Sequence, residues 1–337
     1  MRLVAALWSI IMGMFCPFWL RPSYGDEPRD LMPSQVMRFI IPGPPGATFD
    51  RYGRLLARHL GRHLPGRPVL IPHNMPGASG RIALNYLCNV VPEDGLVIGL
   101  MLKQMPMMQK LGEVMPCDTA RLHYIGSPTR LPETLVVWHK TGVRSIFEPI
   151  GDLKVGATTA AGASFVMPKL ANAVLGKRFR LVTGYTGGTE INLALERGEV
   201  DVRSSEPWSE WKATKPDWIA EGKIIPILQM GMTKHPDLPH VLLMREIGDA
   251  AVELASLATE ISRPVVAAPG VPDPQVRVFQ FAFRQTMKDP AFLADAASVQ
   301  AEISPIYEDE MTELVRRVMA APQEAVWRLK AALAAKE

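Results

Sequence analysis

Apolar runs of four to seven residues alternate along the chain with segments whose apolar positions recur at helical spacing. The first run, Phe39-Ile40-Ile41, reads as a buried strand. Two glycines and three prolines end it between Pro42 and Gly46, because proline cannot donate to a ladder and glycine permits turns. Tyr52, Leu55, Leu56, Leu60 and Leu64 then predict a helix over 51–64. The same alternation predicts strands at 68–71, 96–102, 122–126, 134–139, 153–158, 179–183, 200–204, 224–231 and 263–268. Helices are predicted at 81–90, 190–197, 273–288, 291–299 and 308–320, and after Ser164 on Met167, Leu170, Ala171 and Leu175. Strand following helix this regularly predicts an α/β protein with mainly parallel sheets and helices on both faces.

Four glycine-rich turns each join a predicted strand to a predicted helix, near Gly46, Gly77, Gly162 and Gly187. Backbone N–H groups at a helix start lack intrahelical acceptors and carry partial positive charge, which suits an anion. In open α/β sheets, ligands bind where such turns gather beyond the carboxyl ends of the strands. One turn of this kind is an ordinary connection. Four in one chain predict a ligand held largely by backbone N–H groups.

Length and composition fit two lobes of ordinary size: 337 residues, 47% apolar and 21% charged. The net charge of +3, without a basic run interleaved with aromatics, gives no case for nucleic acid. Residues 1–25 differ from the rest. A basic Arg2, an apolar stretch from Leu3 to Leu20 and the small residues Ser23 and Gly25 make a secretory leader pattern. An uncleaved anchor is the alternative. Export followed by cleavage implies a periplasmic protein with no stable membrane insertion. Cys88 and Cys117 remain after such a cut, and both a disulfide and two buried thiols stay open.

Several constellations have plain structural readings. There is no Gly-x-Ser-x-Gly elbow and no Gly-Lys-Ser/Thr after a glycine loop. His59 and His63 have metal-capable spacing, but Arg58 and Arg62 beside them argue for a solvated basic face that includes Arg51 and Arg54. No metal or cofactor is expected. His235 and His240 read as surface residues of a proline-rich loop. Trp208, Trp211 and Trp218 read as core, with Trp208 nearest a cleft. Arg203 and Glu206 follow a strand end, either as a surface ion pair or with Arg203 gripping a ligand carboxylate through its fork.

Taken in order, Gly43-Pro44-Pro45-Gly46 with Asp50 and Arg54, Asn74-x-Pro76-Gly77-Ala78-x-Gly80, Pro92-x-Asp94-Gly95, Gly184-Tyr185-x-Gly187, Gly198-Glu199-Val200-Asp201 and Ala268-Pro269-x-x-Pro272 resemble the Bug family of extracytoplasmic solute receptors, the binding proteins of tripartite tricarboxylate transporters. The resemblance spans about residues 34–320. It implies a type II-like, two-lobed periplasmic binding protein with the ligand cleft between lobes. Lobe 1 would take 34–133 plus 258–337 and lobe 2 would take 134–257. Implied partners are a small organic carboxylate and membrane transporter subunits. By similarity, Gly46, Ala47, Thr48 and Asp50, with Ala78, Ser79 and Gly80, would grip one carboxylate. Gly162, Ala163, Ser164, Tyr185, Gly187, Gly188 and Thr189 would close on the other end. Ala47-Thr48 and Ser79 stand where glycines are usual, so hydroxyls replace close backbone approach. A sensor that reports to a membrane kinase, and an α/β enzyme acting on acyl or phosphoryl groups, are the competing readings.

Overall fold

The computed structural model describes residues 36–159 and 162–335, so the leader pattern of residues 1–25 lies outside the described residues. In chain order the elements are β1 (Val36–Ile41), α1 (Thr48–His59), β2 (Val69–Asn74), α2 (Arg81–Asn89), β3 (Val97–Leu100), α3 (Met105–Lys110), β4 (His123–Ser127), β5 (Glu133–Trp138), β6 (Leu153–Gly156), α4 (Ala163–Leu175), β7 (Phe179–Val182) and α5 (Gly188–Arg197). Then follow β8 (Val202–Pro207), α6 (Trp208–Thr214), α7 (Pro216–Ala220), β9 (Ile224–Met230), α8 (Ala250–Glu260), β10 (Val265–Ala267), α9 (Asp273–Thr286), α10 (Pro290–Ser298), β11 (Ile306–Tyr307), α11 (Glu308–Met319) and α12 (Gln323–Ala334).

The strands form two sheets, ordered β11-β4-β10-β3-β1-β2 and β7-β6-β8-β5-β9. Helices cover both faces, and the arrangement is the expected two-lobed α/β architecture. The sheets are mixed, where mainly parallel ones were expected. The β1–β2, β1–β3, β6–β7 and β6–β8 pairs are parallel, and those of β10 with β3 and β4, β11 with β4, and β5 with β8 and β9 are antiparallel. The reason is topological. A helical crossover returns the chain parallel to its start. β5 and β10, by contrast, each arrive from the other sheet and enter in the opposite sense.

Each strand run of the sequence became a strand, and the central ones, β3, β5 and β10, are buried along their whole length between helices on both faces. Phe39, Ile40 and Ile41 are buried, as are Tyr52, Leu55 and Leu56 on the inner side of α1 and Leu60 just after it. α1 begins at Thr48, three residues earlier than its apolar spacing suggests, and so reaches into the glycine-rich turn. Its arginines keep an exposed face at Arg54 (43%) and Arg58 (48%), but each is ion-paired and Arg51 turns inward. Arg51 pairs with Glu210, Arg54 with Asp50, and Arg58 with Asp295, to which His59 also bonds. His63 meets Asp289. The second histidine reading also changes: His235 is buried, its N–H donated to Gln229 at 2.8 Å.

Trp211 and Trp218 are core, joined by Trp138 and Trp208 in an apolar cluster of the second lobe. α3, α6, α7, α8 and α12 have no counterpart among the predicted helices. α12 packs on α8 and α4, and Lys169 of α4 donates to the Ala335 carbonyl at 2.6 Å.

Cys88 and Cys117 form a disulfide, with Cα atoms 6.2 Å apart and a sequence separation of 29. It ties the end of α2 to the segment before β4. Closing a loop of this length stabilises the fold by about 2–4 kcal/mol, mainly by restricting the unfolded chain. A Cys88→Ala/Cys117→Ala variant therefore unfolds at lower urea by that amount. Wild-type protein in a reducing agent falls to the same midpoint. An unchanged midpoint on reduction would exclude the disulfide as a stabilising tie.

Candidate functional site

The four glycine-rich turns converge. Gly46, Gly77, Gly162 and Gly187 all line one cleft of about 1120 Å³ between the sheets. Three helices, α1, α4 and α5, start at it, and α2 follows directly on the short helical turn Ala78–Gly80 that also lines it. At the mouth the Ser79 and Thr159 hydroxyls lie 3.1 Å apart, so turns from the two sides touch.

The first turn is built on Asp50. Its carboxylate accepts the Gly46 N–H at 2.8 Å, Arg54 Nε at 2.8 Å and Asn74 Nδ2 at 2.9 Å. Asn74 also donates to the Gly43 carbonyl at 2.9 Å. Ala47, the residue before α1, offers no side-chain cap, and Asp50 does that work from inside the first turn. Thr48 and Phe49 then present N–H groups with no intrahelical acceptor. Burial alone would raise the Asp50 pKa. Arg54, the Gly46 N–H and Asn74 outweigh it and hold the carboxyl below the ordinary value.

Gly46, Ala47, Thr48, Ala78, Ser79, Gly80, Gly162, Tyr185, Gly187, Gly188, Thr189 and Arg203 line the cleft together. Asp50, Ala163, Ser164 and Trp208 do not. Asp50 is spent on the turn. Ser164 is buried, its Oγ accepting the Thr158 N–H at 3.1 Å. Trp208 is buried in the second core cluster rather than exposed to the cleft.

The floor is charged, and most of that charge escaped sequence reasoning. Lys103 follows the carboxyl end of β3 and pairs with Glu133, the first residue of β5. Arg203 and Glu206, both on β8, pair at 2.5 Å, neither as a surface pair nor as a free arginine. Glu210 of α6 is fully buried and shared by Arg51 of α1 and, at 3.3 Å, by Arg263. Thus four cations face three carboxylates. Burial pulls the Lys103 ammonium down despite Glu133. Burial also pushes the Glu206 carboxyl up. Arg203 opposes this shift, and Glu210 and Glu133 reinforce it. For Lys103 the signal was available, since a lone charge just past the carboxyl end of an apolar run sits where the sheet rule places ligands; Arg263 precedes β10 and carries no such mark.

Gly188 explains how the Arg203 pair fits under α5. A Cβ there would lie 2.7 Å from the Arg203 guanidinium and 3.3 Å from the Glu206 carboxylate. Backbone strain also gathers here. Among the described residues six non-glycine residues have left-handed φ, and four of them, Ala78 (45°), Ser79 (52°), Ser205 (66°) and Ser262 (56°), line the cleft. Each costs roughly 1–2 kcal/mol, and such outliers cluster at functional sites. No histidine lines the cleft, and no group of side chains among the described residues is arranged to hold a metal.

No family model and no curated protein matches the sequence. Solved structures do match. Rpa4515 of R. palustris with adipate is 20% identical with a TM-score of 0.68, covering 88% of this chain and 97% of that one. MatC from Rhodopseudomonas palustris with bound malate is 16% identical with a TM-score of 0.67, covering 88% and 100%. A TctC solute-binding protein from Polaromonas is 18% identical with a TM-score of 0.65, covering 88% and 99%. At these identities the likeness establishes the fold, that of TctC and Bug-type periplasmic binding proteins.

Asp50→Asn tests the turn. The folded pKa lies below the unfolded value of about 4. The carboxylate's contribution is therefore whole above that value and is lost as pH falls through the folded pKa. The variant is about 1–3 kcal/mol less stable than wild type at pH 7. The gap shrinks as the pH is lowered below 4. A gap independent of pH in denaturation curves would refute the assignment.

Proposed function

We propose that this protein is an exported receptor that captures a small organic acid between its two lobes and passes it to membrane subunits of a tripartite tricarboxylate-type transporter. The observation that carries the reading is the convergence of four glycine-rich turns, three of them leading straight into helix N-termini, on one cleft with a surplus cation at its floor. Helix N-termini and arginines are matched to a carboxylate. The structural neighbours that carry adipate and malate support the same ligand class.

The working division is a first lobe of 34–133 plus 258–337 and a second of 134–257. On this division the Gly46–Thr48 and Ala78–Gly80 turns take one carboxylate from the first lobe. Gly162 and the Tyr185–Thr189 turn close on the ligand from the second. Arg203 acts here beneath Gly188, held by Glu206. Binding requires no covalent step, and the three carboxylates of the floor, Glu133, Glu206 and Glu210, are each paired with a cation. Closure follows if the acid binds the closed arrangement better than the open one. The Cys88–Cys117 disulfide supports residence in an oxidising compartment such as the periplasm.

A panel of C4–C8 dicarboxylates, hydroxy acids and aromatic acids tests the reading by calorimetry and thermal shift. At least one acid binds one to one. At a hundredfold above its Kd it raises Tm by about 4 °C, since saturation of this order contributes roughly 2.7 kcal/mol. Silence across the panel from protein shown to be ligand-free would overturn the carboxylate assignment.

A further inference from the structure

The floor of the cleft is not evenly neutralised. Glu133 is matched by Lys103 and Glu206 by Arg203, each in a close pair. Glu210 alone serves two arginines. Its Oε2 is taken closely by Arg51 and accepts Thr48 Oγ1 at 3.5 Å, while Oε1 meets Arg263 at a looser 3.3 Å. The surplus positive charge of the cluster therefore resides at Arg263.

Arg263 is nevertheless fixed in place. It is 6% exposed and lines the cleft. Its guanidinium carbon stacks 4.4 Å from the centre of the Tyr52 ring and lies 5.9 Å from that of Phe49, which follows Thr48 in the first turn. Its main-chain N–H is donated to Ser127 Oγ at 3.1 Å, which joins the segment leaving the first sheet to the segment returning to it. Ser262, just before it, holds a left-handed φ of 56°, a strained turn that sets the direction of Arg263. Its Nε is buried without a hydrogen-bond partner, as are those of Arg51 and Arg203. What sets Arg263 apart is that it lines the cleft while sharing its one carboxylate with Arg51, which takes it more closely. A guanidinium has five N–H donors in a fixed fork, and one held at a ligand cavity without a carboxylate of its own is arranged for a planar anion.

We propose that Arg263 binds a carboxylate of the ligand directly, so that the receptor recognises an ionised acid through this guanidinium and not by turn amides alone. The inference rests on the carboxylate-receptor reading and names the side chain that gives that reading its charge selectivity. The ligand carboxylate adds to the Arg263 fork beside Phe49 and Thr48, and its negative charge cancels the surplus that Glu210 leaves. Acids with a free carboxylate at that end are therefore preferred over their amides and esters, and cationic ligands are repelled.

The test uses purified protein with adipate and malate as first probes, or the best acid of the panel, titrated by calorimetry. Arg263→Ala is expected to weaken acid binding by about tenfold to a hundredfold, as for loss of a buried charged partner. Millimolar guanidinium restores it, and sodium at equal ionic strength does not. Arg263→Lys keeps charge and stem but not the fork, and is expected to lose about tenfold. If Arg263→Ala does not fold, as judged by its melting curve, the lysine variant alone decides. Binding by a folded Arg263→Ala within threefold of wild type would overturn the proposal. So would a loss that guanidinium fails to rescue, or an Arg263→Lys that binds as wild type does. If wild-type protein binds no acid at all, the receptor reading itself fails, and this inference with it.

Discussion

The buried carboxylate of Glu210 is the constraint on which the rest depends. Its side chain is 1% exposed. An ion in that position costs several kcal/mol unless it is paired and hydrogen-bonded. Its partners come from separate parts of the chain: Arg51 from α1, and Arg263 from the segment that returns to the first sheet. Neutralising one charge thus fixes how α6 of the second sheet faces α1 of the first. The same contact passes close to Thr48, in the turn offered to a ligand.

This arrangement explains why strain and charge are found together. Ser205 precedes Glu206, and Ser262 precedes Arg263; both serines hold left-handed backbone that non-glycine residues adopt only at a cost. In each case the strained residue delivers a charged side chain to the floor. Ala78 and Ser79 do the equivalent for the second turn, bringing the Ser79 hydroxyl against Thr159. Such strain persists only where surrounding structure over-determines it. Here the determinants are two rigid sheets and the helices that start at the cleft.

For the proposed receptor role, a floor cluster with one surplus cation in a low-dielectric setting is a practical compromise. A fully paired floor would give an acid nothing to neutralise. Several unmatched arginines would destabilise the empty protein through repulsion and desolvation. One loosely shared arginine keeps the empty site stable and leaves a net attraction to anions. The turn amides then add directional donors without long side chains to immobilise.

The periodicity of apolar residues by itself determined the strand and helix order through most of the chain, and glycine placement determined which turns lead to the cleft. Those are local properties: Phe39–Ile41 reads as a strand and Tyr52-x-x-Leu55-Leu56 as a helix wherever they stand. α3, α6, α7, α8 and α12 were not legible in the same way. α8, almost wholly buried, lacks a polar face to mark its period. Only the tertiary structure decided the sense of β5 and β10, the burial of His235, the Cys88–Cys117 bond and the charged floor. Arg51, Lys103, Glu133, Glu210 and Arg263 are scattered over more than two hundred positions, and nothing in their local spacing relates them. Ion pairing in a cleft depends on distance in space and on burial. Both are set by how two sheets pack, not by the order of residues along either one.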